Sequence, residues 1–356
     1  MCKIKRFADV DKDTFFGNRQ SKIENRVMYQ TIVSPEEAIG HILRHNLTGA
    51  YGHKAFAKGH KISADDIDKL HAMGLQSIPV AVLEPGDVHE NEAARRLAEA
   101  VCGAGVRASN PSGGRVNLLA EANGIAQIDA EALLRINEHD GLTVATVPTN
   151  TLVRARKRVA TIKVIPFAVS EGALVEAEAA ARGAHPVVAL HPLRSLNVGV
   201  IMVGSVAARE RIEHGVLPAV EGRVDDLGST VGMTRYVAPD EHAVAEAVAD
   251  LAEAGAQLLI IVGETSIMDR DDVTPRGVRL AGGRIEHYGA PVEPGNLLLL
   301  AYMNENTDMP LPVIGAPGCV RSRDTNIVDL VLPRLLAGEH ITKRDIIALG
   351  HGGLLD

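Results

Sequence analysis

The residues best placed to do chemistry lie in one run, 263–275, where Gly263, Glu264, Thr265 and Ser266 are followed by Asp271, Asp272 and Thr274. Leu258, Leu259, Ile260, Ile261 and Val262 precede them. Five apolar residues without alternation predict a strand buried on both faces, as in a parallel sheet covered by helices. Backbone amides freed beyond the strand, with the hydroxyls of Thr265 and Ser266, can hold an anionic group at the carboxyl edge of such a sheet. Asp271 and Asp272 then face the anion. Two carboxylates beside a phosphate make chemical sense with a hard cation such as Mg²⁺ between them, because hard cations take oxygen ligands and bridge to phosphate. The alternative is a polar strand-to-helix loop whose acids cap the next helix. In an extended segment adjacent side chains point to opposite faces, so only one of Asp271 and Asp272 can readily face the site.

The flanking sequence supplies elements to position this loop. Residues 197–203 predict an almost wholly apolar strand ending at Gly204 and Ser205, with helices following over 207–213 and toward 227. Residues 228–237 predict another strand, and Asp240 is placed to cap a helix over 241–254 whose Val244, Val248 and Leu251 share one face. Strand and helix alternate from 197 to 335, which predicts βαβ units and a parallel, three-layer αβα sheet.

The first half reads differently. Residues 1–29 are polar and mixed in charge, an expected mobile arm. Ser34, Pro35, Glu36 and Glu37 carry a helix-start pattern, which would place His41 and His45 four apart on one helix face, a spacing a metal can use but without a matching third ligand. Ser63 is placed to cap a helix over 64–70, and residues 78–83 predict a strand. Asp87 is expected to open a further helix, with acids at its positive end. Residues 103–114 read as a loop, residues 130–137 and 171–182 as helices, and residues 142–148 and 159–166 as strands. Arg154, Arg156, Lys157, Arg158 and Lys163 form either an anion-binding edge facing the second half or a solvated strand and turn. Leu190, His191, Pro192 and Leu193 suggest a hinge. The expected division is an extension (1–29), an α+β domain (30–190), an α/β domain (194–337) and a tail (338–356).

Composition narrows the function classes. At 356 residues two domains are expected, and 46% hydrophobic with 23% charged residues is ordinary for a globular chain. A net charge of -8 argues against a nucleic-acid partner, whose phosphates require a basic face. Cys2, Cys102 and Cys319 are widely spaced and odd in number, which suits a reducing cytoplasm and neither a disulfide framework nor a zinc site. No signal-peptide core and no 18-residue apolar segment occurs, so neither export nor a membrane partner is expected.

Three segments carry a resemblance. The run 263–275, the run 288–296 (YGAPVEPGN) and the run 312–319 (PVIGAPGC) resemble the binding loops of the molybdopterin-binding (MoeA-like) domain of molybdenum cofactor biosynthesis. The endings 329–338 (DLVLPRLLAG) and 350–353 (GHGG) resemble a stand-alone subgroup of that family without the C-terminal barrel. Weaker echoes occur at Lys58, Gly59 and His60 and at residues 115–124. The resemblance implies that molybdopterin, or its nucleotide form, is held by Gly204, Ser205, Gly263, Glu264, Thr265, Ser266, Asp271, Thr274, Pro294, Gly295, Asn296, Gly315, Pro317, Gly318 and Cys319. It places Asp272, just before Val273, Thr274 and Pro275, with Asp240 as catalytic acids and Mg²⁺ ligands, and implies a homodimer.

Three departures bear on function. Val203 stands where relatives have a threonine, Glu264 where they have a second glycine, and Cys319 and Val320 where full molybdotransferases have Asn and Pro. Cys319 is either a small buried hydrophobe or a thiolate reaching molybdenum. The implied function is Mg²⁺-dependent insertion of molybdate into adenylylated molybdopterin, a transferase activity. The alternatives are a non-catalytic carrier delivering cofactor to molybdenum hydroxylases, and a molybdopterin adenylyltransferase, for which no P-loop is present.

Overall fold

The computed structural model describes residues 29–49, 53–183, 186–304, 307 and 310–355. The expected arm up to residue 28, with Cys2, and His185 beside the expected hinge lie outside the described residues.

A small first unit contains β1 (Tyr29–Val33), β2 (Ile42–Leu43), β3 (Leu47–Thr48), β4 (Lys54–Phe56), α1 (Ile67–Ala72) and β5 (Ile78–Val82). β5 is the middle strand of the sheet β1-β5-β2. The helix expected after Ser34 does not form. The Glu37 carboxylate accepts the Ser34 N–H and hydroxyl at 3.1 Å each, which closes one turn, and Gly40 at φ +87 then reverses the chain into β2. Ile42 and Leu43 are fully buried, so tertiary burial overrides local helix propensity. His41 and His45 therefore share no helix face. Ser63 does start a helical turn, with the capping box completed by Asp66.

The next unit holds β6 (Asp87–His89), α2 (Glu90–Val101), β7 (Val106–Ala108), β8 (Arg115–Ala120), β9 (Gly124–Ile128), α3 (Ala130–Asn137), β10 (Leu142–Thr146), β11 (Thr151–Val153), β12 (Arg158–Val164), β13 (Ala168–Ser170), α4 (Glu171–Ala181) and β14 (Val188–Pro192). Its antiparallel sheets run β10-β12-β8-β7 and β11-β9-β14. Three expectations are corrected here. Asp87 starts no helix: it lies in β6, and its carboxylate accepts the Glu84 N–H at 2.9 Å. The loop over 103–114 contains β7. The expected hinge at 190–193 begins inside β14, which pairs with β9 and buries Leu190.

The third unit contains β15 (Asn197–Val203), α5 (Arg209–Gly215), α6 (Leu217–Asp226), β16 (Thr230–Val237), α7 (Glu241–Glu253), β17 (Leu258–Gly263), α8 (Val273–Leu280), β18 (Arg284–Tyr288), β19 (Leu299–Met303), β20 (Leu311–Gly315), α9 (Ile327–Leu336) and α10 (Lys343–Ala348). Its sheet order is β16-β15-β17-β20-β19-β18. The first four strands are parallel, whereas β19 runs antiparallel to both neighbours, so the sheet is mixed. Alternate residues of the central strands feed two cores. Val200, Met202, Leu258, Ile260 and Val262 pack with Ile212, Val224 and Val331 of α5, α6 and α9. Ile201, Val203, Leu259 and Ile261 pack with Val244, Val248, Leu251 and Val278 of α7 and α8. These are the layers of an αβα fold. Each fully buried Leu or Ile contributes roughly 1.5–3 kcal/mol, so β17, buried along residues 258–262, anchors the loop that follows it.

Residues beyond α9 pack against this unit. Tyr302 hydroxyl donates to the Ile341 carbonyl at 3.0 Å, the Lys343 N–H meets Glu286 at 2.6 Å, and the Glu293 N–H meets the Gly353 carbonyl at 2.7 Å.

Candidate functional site

Parallel strands β15, β17 and β20 end together, at Val203, Gly263 and Gly315, and the loops beyond them meet at the carboxyl edge of the sheet. A 120 Å³ pocket lies there, lined by Gly263, Glu264, Thr265 and Ser266 from one loop and Ala316, Pro317 and Gly318 from another. Arg211 and Arg321 bring guanidinium groups to it. Arg321 Nε donates to the Gly318 carbonyl at 2.8 Å, which fixes that cation against the glycine loop. Gly318 lies close to the other loop: a Cβ there would come 2.9 Å from the Ser266 hydroxyl, which would have to turn aside. On the other side of the residues 264–266, a second pocket of 210 Å³ is lined by Val203, Pro239, Ile267, Asp272, Val273 and Thr274.

The two acids differ. Asp272 sits at the N-cap position of α8, yet its carboxylate turns back to accept the Met268 and Asp269 N–H groups at 2.5 and 3.0 Å, closing the turn and bordering the second pocket. Asp271 faces away: it pairs with Arg279 at 2.9 Å and is 82% exposed. Asp240 caps α7, accepting the His242 and Ala243 N–H groups at 3.0 and 3.1 Å, and borders neither pocket. Asp240 thus acts as a cap through one carboxylate oxygen, Oδ1, next to Pro239 of the second pocket's wall. Among the described residues no group of three His, Cys, Asp or Glu could hold a metal ion. The donors fit a hard cation only as one carboxylate, Asp272, completed by ligand oxygens and water, the way Mg²⁺ is often held.

Other expected residues lie outside the pockets. Gly204 and Ser205 form the adjoining turn, where the Ser205 N–H donates to Glu264 Oε2 at 2.9 Å. Those hydrogen bonds from Ser205 hold the Glu264 carboxyl below its ordinary value. Glu264 therefore spends one carboxylate oxygen on the adjoining turn. Pro294, Gly295 and Asn296 are not among the residues lining these two pockets: Pro294 O accepts the Ile327 N–H at 3.2 Å, and the exposed Asn296 donates through Nδ2 to Glu293 at 2.7 Å. Gly295, at φ +132, would put a Cβ 2.4 Å from Ile327. Gly315 packs against Ile267 and Leu299. Cys319 is half-buried in the 3-10 turn after Gly318, and burial pushes its thiol above the ordinary value, which favours a small packed side chain over a thiolate.

Three side chains at the site, Arg211, Arg321 and Tyr236, carried no motif, and a fourth, Tyr288, only opens the 288–296 run. Arg211 and Arg321 supply the cations, Tyr236 donates to the Ser205 carbonyl at 2.7 Å, and Tyr288 donates to the Ile267 carbonyl at 2.9 Å. Arginines on helices after glycine loops are a weak signal, and the tyrosines arrive from neighbouring strands. Of the basic residues of the first half, Arg154 borders a 340 Å³ cleft with Arg223, Asp226 and Arg323, while Lys163 turns to Glu90 at 3.5 Å.

The family described as "Probable molybdopterin binding domain" matches residues 199–337, the segment that builds both pockets. That match takes in 139 of the chain's 356 residues. Residues 32–82 match a domain of unknown function (DUF8806). A molybdenum cofactor biosynthesis protein from Corynebacterium diphtheriae is 17% identical over 40% of this chain and 93% of its own, with a TM-score of 0.29. MoaB from Pyrococcus furiosus, a tungsten cofactor synthesizing protein, is 17% identical over 39% of this chain and 89% of its own, with a TM-score of 0.28. Comparison with curated proteins returns no match. Outside the molybdopterin-binding domain, and among the described residues generally, no helix is long and apolar enough to cross a membrane.

Proposed function

We propose that this protein binds molybdopterin, or its nucleotide form, through the pocket between residues 263–266 and 316–318, and works in molybdenum cofactor assembly. One observation carries the reading: two glycine loops converge at the carboxyl edge of a parallel sheet with hydroxyls and two guanidinium groups on a single pocket. Thr265 and Ser266 hydroxyls and the amides beyond β17 would take phosphate oxygens, with Arg211 and Arg321 balancing the charge. The apolar wall of Ile212, Val216, Val262 and Val320 would face the uncharged part of the ligand. Asp272 would hold a Mg²⁺ ion between itself and ligand oxygens. That ion, when bound, supplies charge neutralisation at oxygen. Asp272 also keeps the residues 268–272 closed, so the loop presents one shape to the ligand.

Calorimetric titration of the purified chain with molybdopterin tests this. Binding that weakens in Ser266→Ala is expected, and an intact fold giving no heat with any pterin phosphate would refute the reading. The second reading, a carrier that binds cofactor without turnover, gains weight from Glu264, whose carboxylate takes up a loop amide. Molybdate-dependent consumption of adenylylated molybdopterin distinguishes the two: an insertase turns over and a carrier only binds.

A further inference from the structure

The Glu264 carboxylate lies where the site's own donors would meet an anion. Its Oε2 accepts the Ser205 N–H at 2.9 Å, and its Oε1 is 3.5 Å from the Arg211 guanidinium. The Ser205 amide is firmly placed. Tyr236 hydroxyl holds the Ser205 carbonyl at 2.7 Å, and the turn is packed so tightly that a Cβ on Gly204 would come 2.6 Å from that hydroxyl and 2.9 Å from Ile212. The movable parts are the two side chains, Glu264 at 34% and Arg211 at 67% exposure. A carboxylate and a phosphate ask for the same partners, N–H groups and a guanidinium.

Building on the proposed pterin-phosphate reading of the pocket, we infer that Glu264 is an internal anion that competes with ligand for the Ser205 amide and Arg211. The pocket then has two anion positions of different character. One, at Thr265, Ser266 and Gly318, is open to ligand. The other is occupied by the protein itself. A ligand presenting a single phosphate uses the first and leaves Glu264 in place. A ligand presenting a diphosphate must expel the carboxylate or lie against it, at a separation where like charges repel strongly. Glu264 thereby sets the charge class the pocket accepts, monophosphate over diphosphate.

The test uses the full chain with inorganic phosphate and inorganic pyrophosphate as probes, titrated calorimetrically into wild type, Glu264→Gln, Glu264→Ala and the double variant Glu264→Gln with Arg211→Gln. Circular dichroism checks each fold. Glutamine removes the charge and keeps the shape, while alanine vacates the position. Pyrophosphate is expected to bind both single variants about tenfold more tightly than wild type, which corresponds to about 1.4 kcal/mol, with phosphate changing by less than about threefold. The pyrophosphate gain should vanish when Arg211 is also replaced. Equal gains for both anions, no gain, or a gain that survives loss of Arg211 would overturn the inference. Molybdopterin binding by wild type is measured alongside. Its absence with the pyrophosphate gain present removes only the pterin reading; its presence without the gain removes only the role of Glu264.

Discussion

The neighbouring acids Asp271 and Asp272 offer the sharpest discrimination, because one sequence position separates a loop-closing residue from a solvated one. Asp272 Oδ2 accepts two backbone N–H groups, from Met268 at 2.5 Å and Asp269 at 3.0 Å, and borders the 210 Å³ pocket. Asp272→Ala leaves both donors unpaired and should cost about 1–2 kcal/mol, the range for losing a cap-like carboxylate. Asp272→Asn keeps the size and one acceptor oxygen, and should cost roughly half of that. Asp271→Asn loses a surface pair with Arg279 at 82% exposure, worth at most about 0.5 kcal/mol. With about 2–4 °C of melting temperature per kcal/mol for a domain of this size, Asp272→Ala should lower the midpoint by roughly 2–8 °C and Asp271→Asn by no more than about 2 °C. The assay is calorimetric melting of each variant, followed by molybdopterin titration with and without Mg²⁺. The Mg²⁺-dependent part of binding should disappear in Asp272→Asn and persist in Asp271→Asn. Equal melting shifts, or a greater loss of binding in Asp271→Asn, would refute both the loop-closing role and the placement of the cation.

Other predictions are independent of ligand. Arg223 is 5% exposed and bonds the partly exposed Asp329 and the carbonyls of Val320 and Ser322, behind the pocket wall; Arg223→Ala leaves those carbonyls without their donor and should cost about 1–3 kcal/mol in chemical denaturation. Gly295→Ala combines a Cβ 2.4 Å from Ile327 with a left-handed backbone at φ +132, and should cost about 2–5 kcal/mol, read from the same denaturation curves. For pH dependence, hydrogen bonds from Arg96 hold Glu171 below its ordinary value, and those from Ser205 do the same for Glu264. A folded pKa below the unfolded one adds stability that is present above the unfolded value of 4.5 and is lost as pH falls through the lower folded value. The denaturation midpoint should therefore be flat from about pH 6 to 5 and decline below about 4.

Much of the second half could be read directly from the chain. An unbroken apolar run such as residues 258–262 needs both faces buried, and that single requirement leads to a covered sheet, a strand end and a binding loop. Caps were equally legible where the side chain acts within three residues, as with Asp240 and Ser63. The first half was harder because its pairing is nonlocal. Ser34 and Glu37 do form the expected local contact, but whether a helix continues depended on Gly40 and on burial of Ile42 and Leu43 against β5, almost forty residues later.

For the site, residue types alone pointed to glycine loops and hydroxyls beyond β17 that could hold an anion, with the acids joined to it through a hard cation, since that chemistry resides in single residues and short spacings. Tertiary structure decided which of them face a common space. It separated Asp272 from Asp271, used Asp240 as a helix cap, and set Pro294 and Gly295 against Ile327. It also brought in Arg211 and Arg321, and it set the Glu264 carboxylate on the Ser205 amide. Those outcomes depend on where chain segments tens of residues apart come to lie, because a carboxylate bonds to whichever donor the fold delivers within about 3 Å, and no local spacing encodes that delivery.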